Sequence, residues 1–161
     1  VGIQTFYVTL QQDSGGQSRK LLTNPIPSRN VPAQRFLDDG SSFSIETNTF
    51  SDKRTIRGKA TVSCALNKLS GNLSFSAHLE KFDGDSSVDI SNTVTSATGD
   101  TADYAYTFDL DITTTKFKKG DILRLVIVTG ESGGSGLWAD PIGSGNHIPF
   151  KLLVPFDPPQ Q

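Results

Sequence analysis

The sequence predicts an all-β chain folded as one antiparallel β-sandwich of eight or nine short strands. Three observations predict it. The first is strict alternation in residues 104–112, where Tyr104, Tyr106, Phe108, Leu110 and Ile112 are separated by Ala105, Thr107, Asp109 and Asp111. Successive side chains of a strand point to opposite faces, so this pattern gives one apolar and one wet face. The second is the same pattern in residues 73–80, with Leu73, Phe75, Ala77 and Leu79 against Ser74, Ser76, His78 and Glu80. The third is the spacing of turn-forming residues between such runs, as in Asp13-Ser14-Gly15-Gly16, Asp38-Asp39-Gly40 and Lys118-Lys119-Gly120-Asp121. No stretch carries a convincing helical period. Many amphipathic strands with short connections bury their apolar faces by packing two sheets together or by closing a barrel.

Residues 4–10 (QTFYVTL) read as a first strand and residues 11–17 as a turn. From about 18 to 35 the pattern is lost. Pro25, Pro27 and Pro32 each lack an N–H and push the preceding residue toward extended geometry. This stretch is expected to be an extended, irregular arm, lying on its own domain or on a neighbour. Residues 42–47 alternate Phe43 and Ile45 inward. Residues 50–58 are charged and read as a loop or edge strand. Residues 59–66 alternate Val62, Cys64 and Leu66, and are expected to form a hairpin with residues 72–82. Phe82 to Ser87 (FDGDSS) is a turn, and Val88 and Ile90 are expected to point inward beyond it.

Residues 104–129 form two strands, expected as a consecutive pair, joined by the Lys118–Asp121 turn. In the second of them Leu123, Leu125 and Ile127 take one face while Val126 and Val128 take the other. A strand apolar on both faces is central, or is covered by a neighbouring subunit. Residues 131–136 and 143–145 are glycine loops flanking Leu137 and Trp138. Residues 148–156 close the fold, with prolines near both ends as a strand terminus or edge allows. The expected organisation is a single domain over 1–161 with a flexible tail at 157–161.

Composition excludes several functions. The 161 residues carry 15 Lys+Arg against 17 Asp+Glu, with no basic run beyond Lys118-Lys119. Neutralising many phosphates needs a basic stripe or tail, so no nucleic acid is expected as a partner. No apolar run reaches transmembrane length and none reads as a signal peptide, so no membrane association is expected. Ten Phe and no Met point to a core of rigid rings and branched aliphatics. The single cysteine, Cys64, reads as a small buried hydrophobe.

The search for chemistry yields little. His78 and His147 lie far apart in sequence and no G-x-S-x-G occurs, so no catalytic residues are assigned and the chain is expected not to be an enzyme. No cofactor is expected. Asp83, Asp85 and Asp89 are the best metal candidates, because calcium takes carboxylate oxygens from such turns. The calcium-loop pattern is incomplete, and solvated turn acids are the default reading. Trp138 is the candidate platform for stacking on a sugar ring, against the commoner reading of a buried ring with its N–H bonded. Leu21, Leu22, Pro25, Ile26, Pro27, Val31 and Pro32 are the candidate partner-binding residues of the arm.

Residues 117–155 resemble the closing strands of the C1q/TNF-like jelly roll. The resemblance lies in Lys119-Gly120-Asp121 after an apolar residue, the alternating Leu123, Leu125 and Ile127, then Gly136-Leu137-Trp138 and Phe150-Lys151-Leu152-Leu153. It covers about a quarter of the chain and implies a jelly-roll-like sandwich and a three-fold interface. In overall style the chain also resembles the Thr/Ser/Gly-rich jelly-roll virion proteins of tailed bacteriophages. That resemblance implies a capsid decoration (cement) or head-fibre subunit, a homotrimer at the capsid surface that binds the major capsid protein or another virion protein. The alternative expectation is a carbohydrate-binding module or glycan-recognising receptor-binding domain, with an extracellular location outside the virion setting.

Overall fold

A computed structural model describes residues 2–13, 16–23, 34–37, 42–67, 75–95, 103–129, 136–139 and 151–157. Among them are twelve strands and no helix: β1 (Gly2–Asp13), β2 (Gly16–Leu22), β3 (Gln34–Leu37), β4 (Ser42–Thr47), β5 (Arg54–Asn67), β6 (Phe75–Phe82), β7 (Ser87–Asp89), β8 (Val94–Thr95), β9 (Asp103–Phe117), β10 (Ile122–Thr129), β11 (Gly136–Ala139) and β12 (Lys151–Phe156). Eight of them are six residues or longer. The chain is an antiparallel, jelly-roll-like β-sandwich. One layer runs β9-β5-β12-β1-β2, and the other runs β4-β10-β6 with β7 and β8 on the far side of β6. Beside β12, β5 also pairs with β11, which in turn carries β3.

The two layers share one core. Phe6, Val8, Val62, Cys64, Leu110, Leu152 and Val154 come from the first layer. Ile45, Ala77, Leu79, Leu123, Leu125 and Ile127 meet them from the second. Burying a Leu, Ile or Phe side chain is worth about 1.5–3 kcal/mol, so this interdigitated set is the main driving force for closure. The layers also join at both margins. On one, β2 and β4 pair in parallel through Lys20 opposite Glu46 and Leu21 opposite Thr47. On the other, Ile90 to Asn92 bridge β6 and β9. The Ile90 N–H donates to the Leu79 carbonyl at 2.9 Å, the Thr113 N–H to the Ile90 carbonyl at 2.9 Å, and the Asn92 N–H to the Asp111 carbonyl at 3.3 Å.

A bulge aligns the longest ladder. Between Ile56 and Gly58 the register of β5 against β9 shifts, so that Thr115 faces Ile56 but Ile112 faces Gly58. The extra residue lies on β9. It reverses the inward parity there, and Phe117 turns into the core after Leu110 and Ile112 while Lys116 stays outside. Gly58 lies at this shift with φ of +100°, in the left-handed region where a side chain is strained. After Phe117, the Lys118–Asp121 turn is held by the Asp121 carboxylate, which accepts from the Lys118 N–H at 2.8 Å. The turn also clasps Phe50, whose N–H donates to the Asp121 carbonyl and whose carbonyl accepts from the Gly120 N–H.

Several expectations are corrected. β9 and β10 follow one turn but do not pair. β9 pairs with β5, and β10 pairs with β4 and β6. Likewise β5 and β6 are not a hairpin; they belong to opposite layers. Alternation fixes which face of a strand is buried and leaves its neighbours open, so sequential order was a poor guide to pairing. Residues 54–58 are a paired part of β5 and not a charged loop, with Ile56 buried and the charged side chains of Arg57 and Lys59 turned outward. β5 and β9, at 14 and 15 residues, are not short. The arm expected from residue 18 begins instead inside β2, where Leu21 is buried in the chain's own core because the β1 and β4 registers enclose it. Leu22 ends that strand, while Pro25, Ile26, Pro27, Val31 and Pro32 lie outside the described residues. Val88 is exposed, because β7 pairs on the outer margin of β6. Asp157, expected in the flexible tail, donates its N–H to the Thr55 carbonyl at 2.8 Å and pairs with Arg57. The reading of β10 as a central strand agrees with its two neighbours, and Val126 on its outer face is only 8% exposed.

Two outcomes are expected of the core. Thr47 is buried, and its Oγ1 accepts from the Leu123 N–H at 3.1 Å where the β4–β10 ladder has ended. Thr47→Val keeps the shape and strands that donor, so urea unfolding should show a loss of about 1–3 kcal/mol; an unchanged midpoint means water replaces the hydroxyl. Burial pushes the Cys64 thiol from 9.0 up to about 12. The native protein should therefore resist thiol-specific alkylation at pH 8 and react on unfolding. A group whose folded pKa is raised favours the fold fully below its unfolded value, so the Cys64 contribution should fade as pH rises from about 9 towards 12. Rapid alkylation of the folded chain is the contrary result.

Candidate functional site

The outward face of the β4-β10-β6-β7 layer carries a row of charges set by strand register. Glu46 lies opposite Arg124, Arg124 opposite Glu80, and Glu80 opposite Asp89. Glu46, Arg124 and Glu80 belong to strands whose alternate residues fill the core, as Ile45 and Thr47 do around Glu46, and Leu123 and Leu125 around Arg124, while β7 is exposed along its length. The charged side chains must therefore point outward. Arg124 donates from Nε to Glu46 Oε1 at 2.7 Å and from Nη1 to Ser87 Oγ at 2.9 Å. Its guanidinium carbon lies 3.7 Å from the centroid of the Phe82 ring, a cation–π contact. His78, two residues before Glu80 on the same face, places Nε2 at 3.1 Å from Glu80 Oε1 and 3.4 Å from Asp89 Oδ1.

A second feature lies at one end of the first layer. β1 pairs with β12 over residues 2–7 but with β2 only from Tyr7 onward. On the β2 side, no described strand pairs with residues 2–6. Beside this edge is an open cleft of about 230 Å³, lined by Gln4, Phe6, Phe50, Arg54 and Phe156 among others. Its aromatic wall is continuous, with Phe50 6.1 Å and Phe6 6.3 Å from Phe156 between ring centroids. The Arg54 guanidinium stacks 4.5 Å over Phe156, and its buried Nε has no hydrogen-bond partner among the described residues. Ile3, on the same strand segment, is 68% exposed.

The sequence-derived candidates scatter. Asp83 is occupied by its own turn: its Oδ1 accepts from the N–H groups of Asp85 at 2.9 Å and Ser86 at 2.8 Å. The Ser86 and Asp85 N–H bonds hold the Asp83 carboxyl below its usual range. Asp85 is exposed on that turn. Asp89 is brought to His78 and Glu80 and not to Asp83, and His78, Glu80 and Asp89 are the one group of three described residues with ligand atoms close enough to hold a metal ion. Trp138 lies within β11, opposite Arg35 of β3 and Ala65 of β5, in a paired strand and not a free loop. Leu21, the arm residue with a described side chain, is in the core. The His78-x-Glu80 spacing was visible as one polar face; Asp89 joins it only through the β6–β7 register, which the sequence does not show.

No family model and no curated protein matches the sequence. Among solved structures, a CocE/NonD family hydrolase from Staphylococcus aureus matches with TM-score 0.73 and 12% identity, over 97% of this chain and 37% of that one. An aminopeptidase from a marine sediment archaeon, Thaumarchaeota archaeon, matches with TM-score 0.70 and 9% identity, over 98% of this chain and 37% of that one. An α-amino acid ester hydrolase matches with TM-score 0.61 and 10% identity, over 94% and 34%. The chain thus spans about a third of the length of these three structures. At these identities the likeness is one of fold: the same β-sandwich recurs as one part of longer proteins.

Proposed function

We propose that this chain is a non-enzymatic structural module, a stiff β-sandwich that binds a larger protein assembly through its surface. The finer reading is a virion decoration or head-fibre subunit that self-associates as a trimer. The observation that carries the contact role is that, among the described residues, 2–6 are paired on one side only, beside the aromatic cleft. A strand with unpaired backbone groups is a template for a further strand. Of the residues that line the cleft, the half-buried Phe50 ring and the Arg54 guanidinium are what an added segment would meet, with Phe6 and Phe156 buried behind them. The virion setting and the trimer draw their support from the sequence resemblances. The Pro-rich arm that the sequence places at about 18–35, of which residues 24–33 lie outside the described set, is the candidate for the extended segment that a neighbouring copy would supply.

A second reading has its own observation. Nearly the whole chain superposes on about a third of longer hydrolases, which supports a module packed beside other domains of one polypeptide. Sedimentation velocity of the purified 161-residue chain separates the two. The subunit reading expects a trimer, with Ile3→Lys at the exposed edge shifting it toward monomer. A monomer at every concentration rejects self-association and favours the packed module. Hydrolysis of simple esters or aminoacyl anilides by the chain itself, above a heat-denatured control, rejects the non-enzymatic reading.

A further inference from the structure

We propose that His78, Glu80 and Asp89 form a divalent-cation site of the zinc class on the outer face of β6 and β7. The proposal is independent of the contact surface at β1. Three observations carry it. The first is distance. Two ligands of a tetrahedral zinc ion, each bonded at about 2.0–2.1 Å, stand roughly 3.3–3.4 Å apart. His78 Nε2 is 3.1 Å from Glu80 Oε1 and 3.4 Å from Asp89 Oδ1, and the three ligand atoms all lie within 4.8 Å of one another. Small rotations about the side-chain bonds bring the set onto one ion.

The second is the charge pattern across the sheet. Register gives Glu46, Arg124, Glu80, Asp89, in which the signs alternate until the last two. Two carboxylates directly opposite each other on adjacent strands repel. Among the described residues Arg124 forms no ion pair with either of them, its Nε being on Glu46 and its Nη1 on Ser87. A positive charge beside Glu80 and Asp89 restores the alternation, and a divalent ion held by both carboxylates and the His78 imidazole supplies it. The third is scaffolding. His78 and Glu80 side chains are 16% and 18% exposed, on a strand whose Ala77 and Leu79 are locked in the core. Asp89 is 71% exposed and opens the site to solvent, so an ion can enter and keep water in its remaining position. One imidazole and two carboxylates suit zinc better than calcium, which takes six or more oxygens.

The test is titration of the full chain with zinc chloride, followed by isothermal calorimetry at pH 7.5 in a non-chelating buffer, with thermal melting alongside. One equivalent of zinc should bind and raise the melting temperature, and millimolar magnesium should not displace it. Even a group that only supports a metal ligand is worth about tenfold or more in affinity, so His78→Ala and Asp89→Asn, which remove ligands, should each weaken binding by at least that. Asp89→Asn removes a mostly exposed charge at constant shape and leaves the fold intact, which circular dichroism checks. His147→Ala should bind as the parent does. Absence of saturable binding, or full binding in either the His78 or the Asp89 variant, overturns the site and leaves His78 as a hydrogen-bonding partner of the two acids.

Discussion

Everything in this fold depends on closing two sheets over one apolar layer. Neither sheet can stand alone: Leu110, Leu152 and Val154 from one side and Leu79, Leu125 and Ile127 from the other leave water only against each other. Closure must also be completed at the margins, where backbone groups would otherwise be left unpaired. The structure does this with short, unequal devices. The parallel contact of β2 with β4 covers two residue pairs, and the Ile90–Asn92 segment stitches β6 to β9 with single hydrogen bonds. Neither is a long hairpin, so the tie between the layers is mainly the core itself.

The same constraint explains the β5–β9 bulge. A fifteen-residue strand twists too far to keep one face over a flat core, and strict alternation from Leu110 through Ile112 would send Lys116 inward. One inserted residue restores the match: Phe117 enters the core and packs 4.7 Å from Phe50 between ring centroids. The Lys118–Asp121 turn, which clasps the Phe50 backbone, then delivers the chain to the opposite layer. The end of the sandwich where Phe50, Phe117 and Phe156 meet is thereby rigid. That end holds the cleft and the part of β1 that no described strand pairs on the β2 side, so a partner bound there as proposed would meet packed side chains and cost little ordering entropy.

The sequence made faces legible and left neighbours hidden. Ala77, Leu79, Leu110, Ile112, Leu123, Leu125 and Cys64 are buried as their alternation implied, and β10 is central as its two-sided apolar pattern implied. What alternation could not convey is which strands pair. β5 carries β9 along one edge and β12 and β11 along the other, all distant in sequence, because a long buried strand needs both edges filled. Local composition misled at residues 54–58, where outward charges on a doubly paired strand look like a loop or an edge strand, and at Leu21, where the prolines that follow it masked a core position. The candidate site was half legible. His78 and Glu80 shared a polar face in the sequence, while Asp89 and Arg124 reached that face only through register.

Inner and outer faces of one strand are thus under different control. In β6, Ala77 and Leu79 are dictated by a core that tolerates little change in volume. Ser76, His78 and Glu80 face outward, where a lone exposed ion pair contributes about 0–1 kcal/mol and stability scarcely selects among polar residues. A charge row ordered across four strands, with one guanidinium held by a carboxylate, a hydroxyl and an aromatic ring at once, is more than solubility requires. Its one break in alternation, Glu80 against Asp89, is a like-charge cross-strand pair, which is destabilising where a neutral pair would not be. An unfavourable pair beside a well-placed imidazole, on the outward face of the layer, points to a role in binding and not in folding.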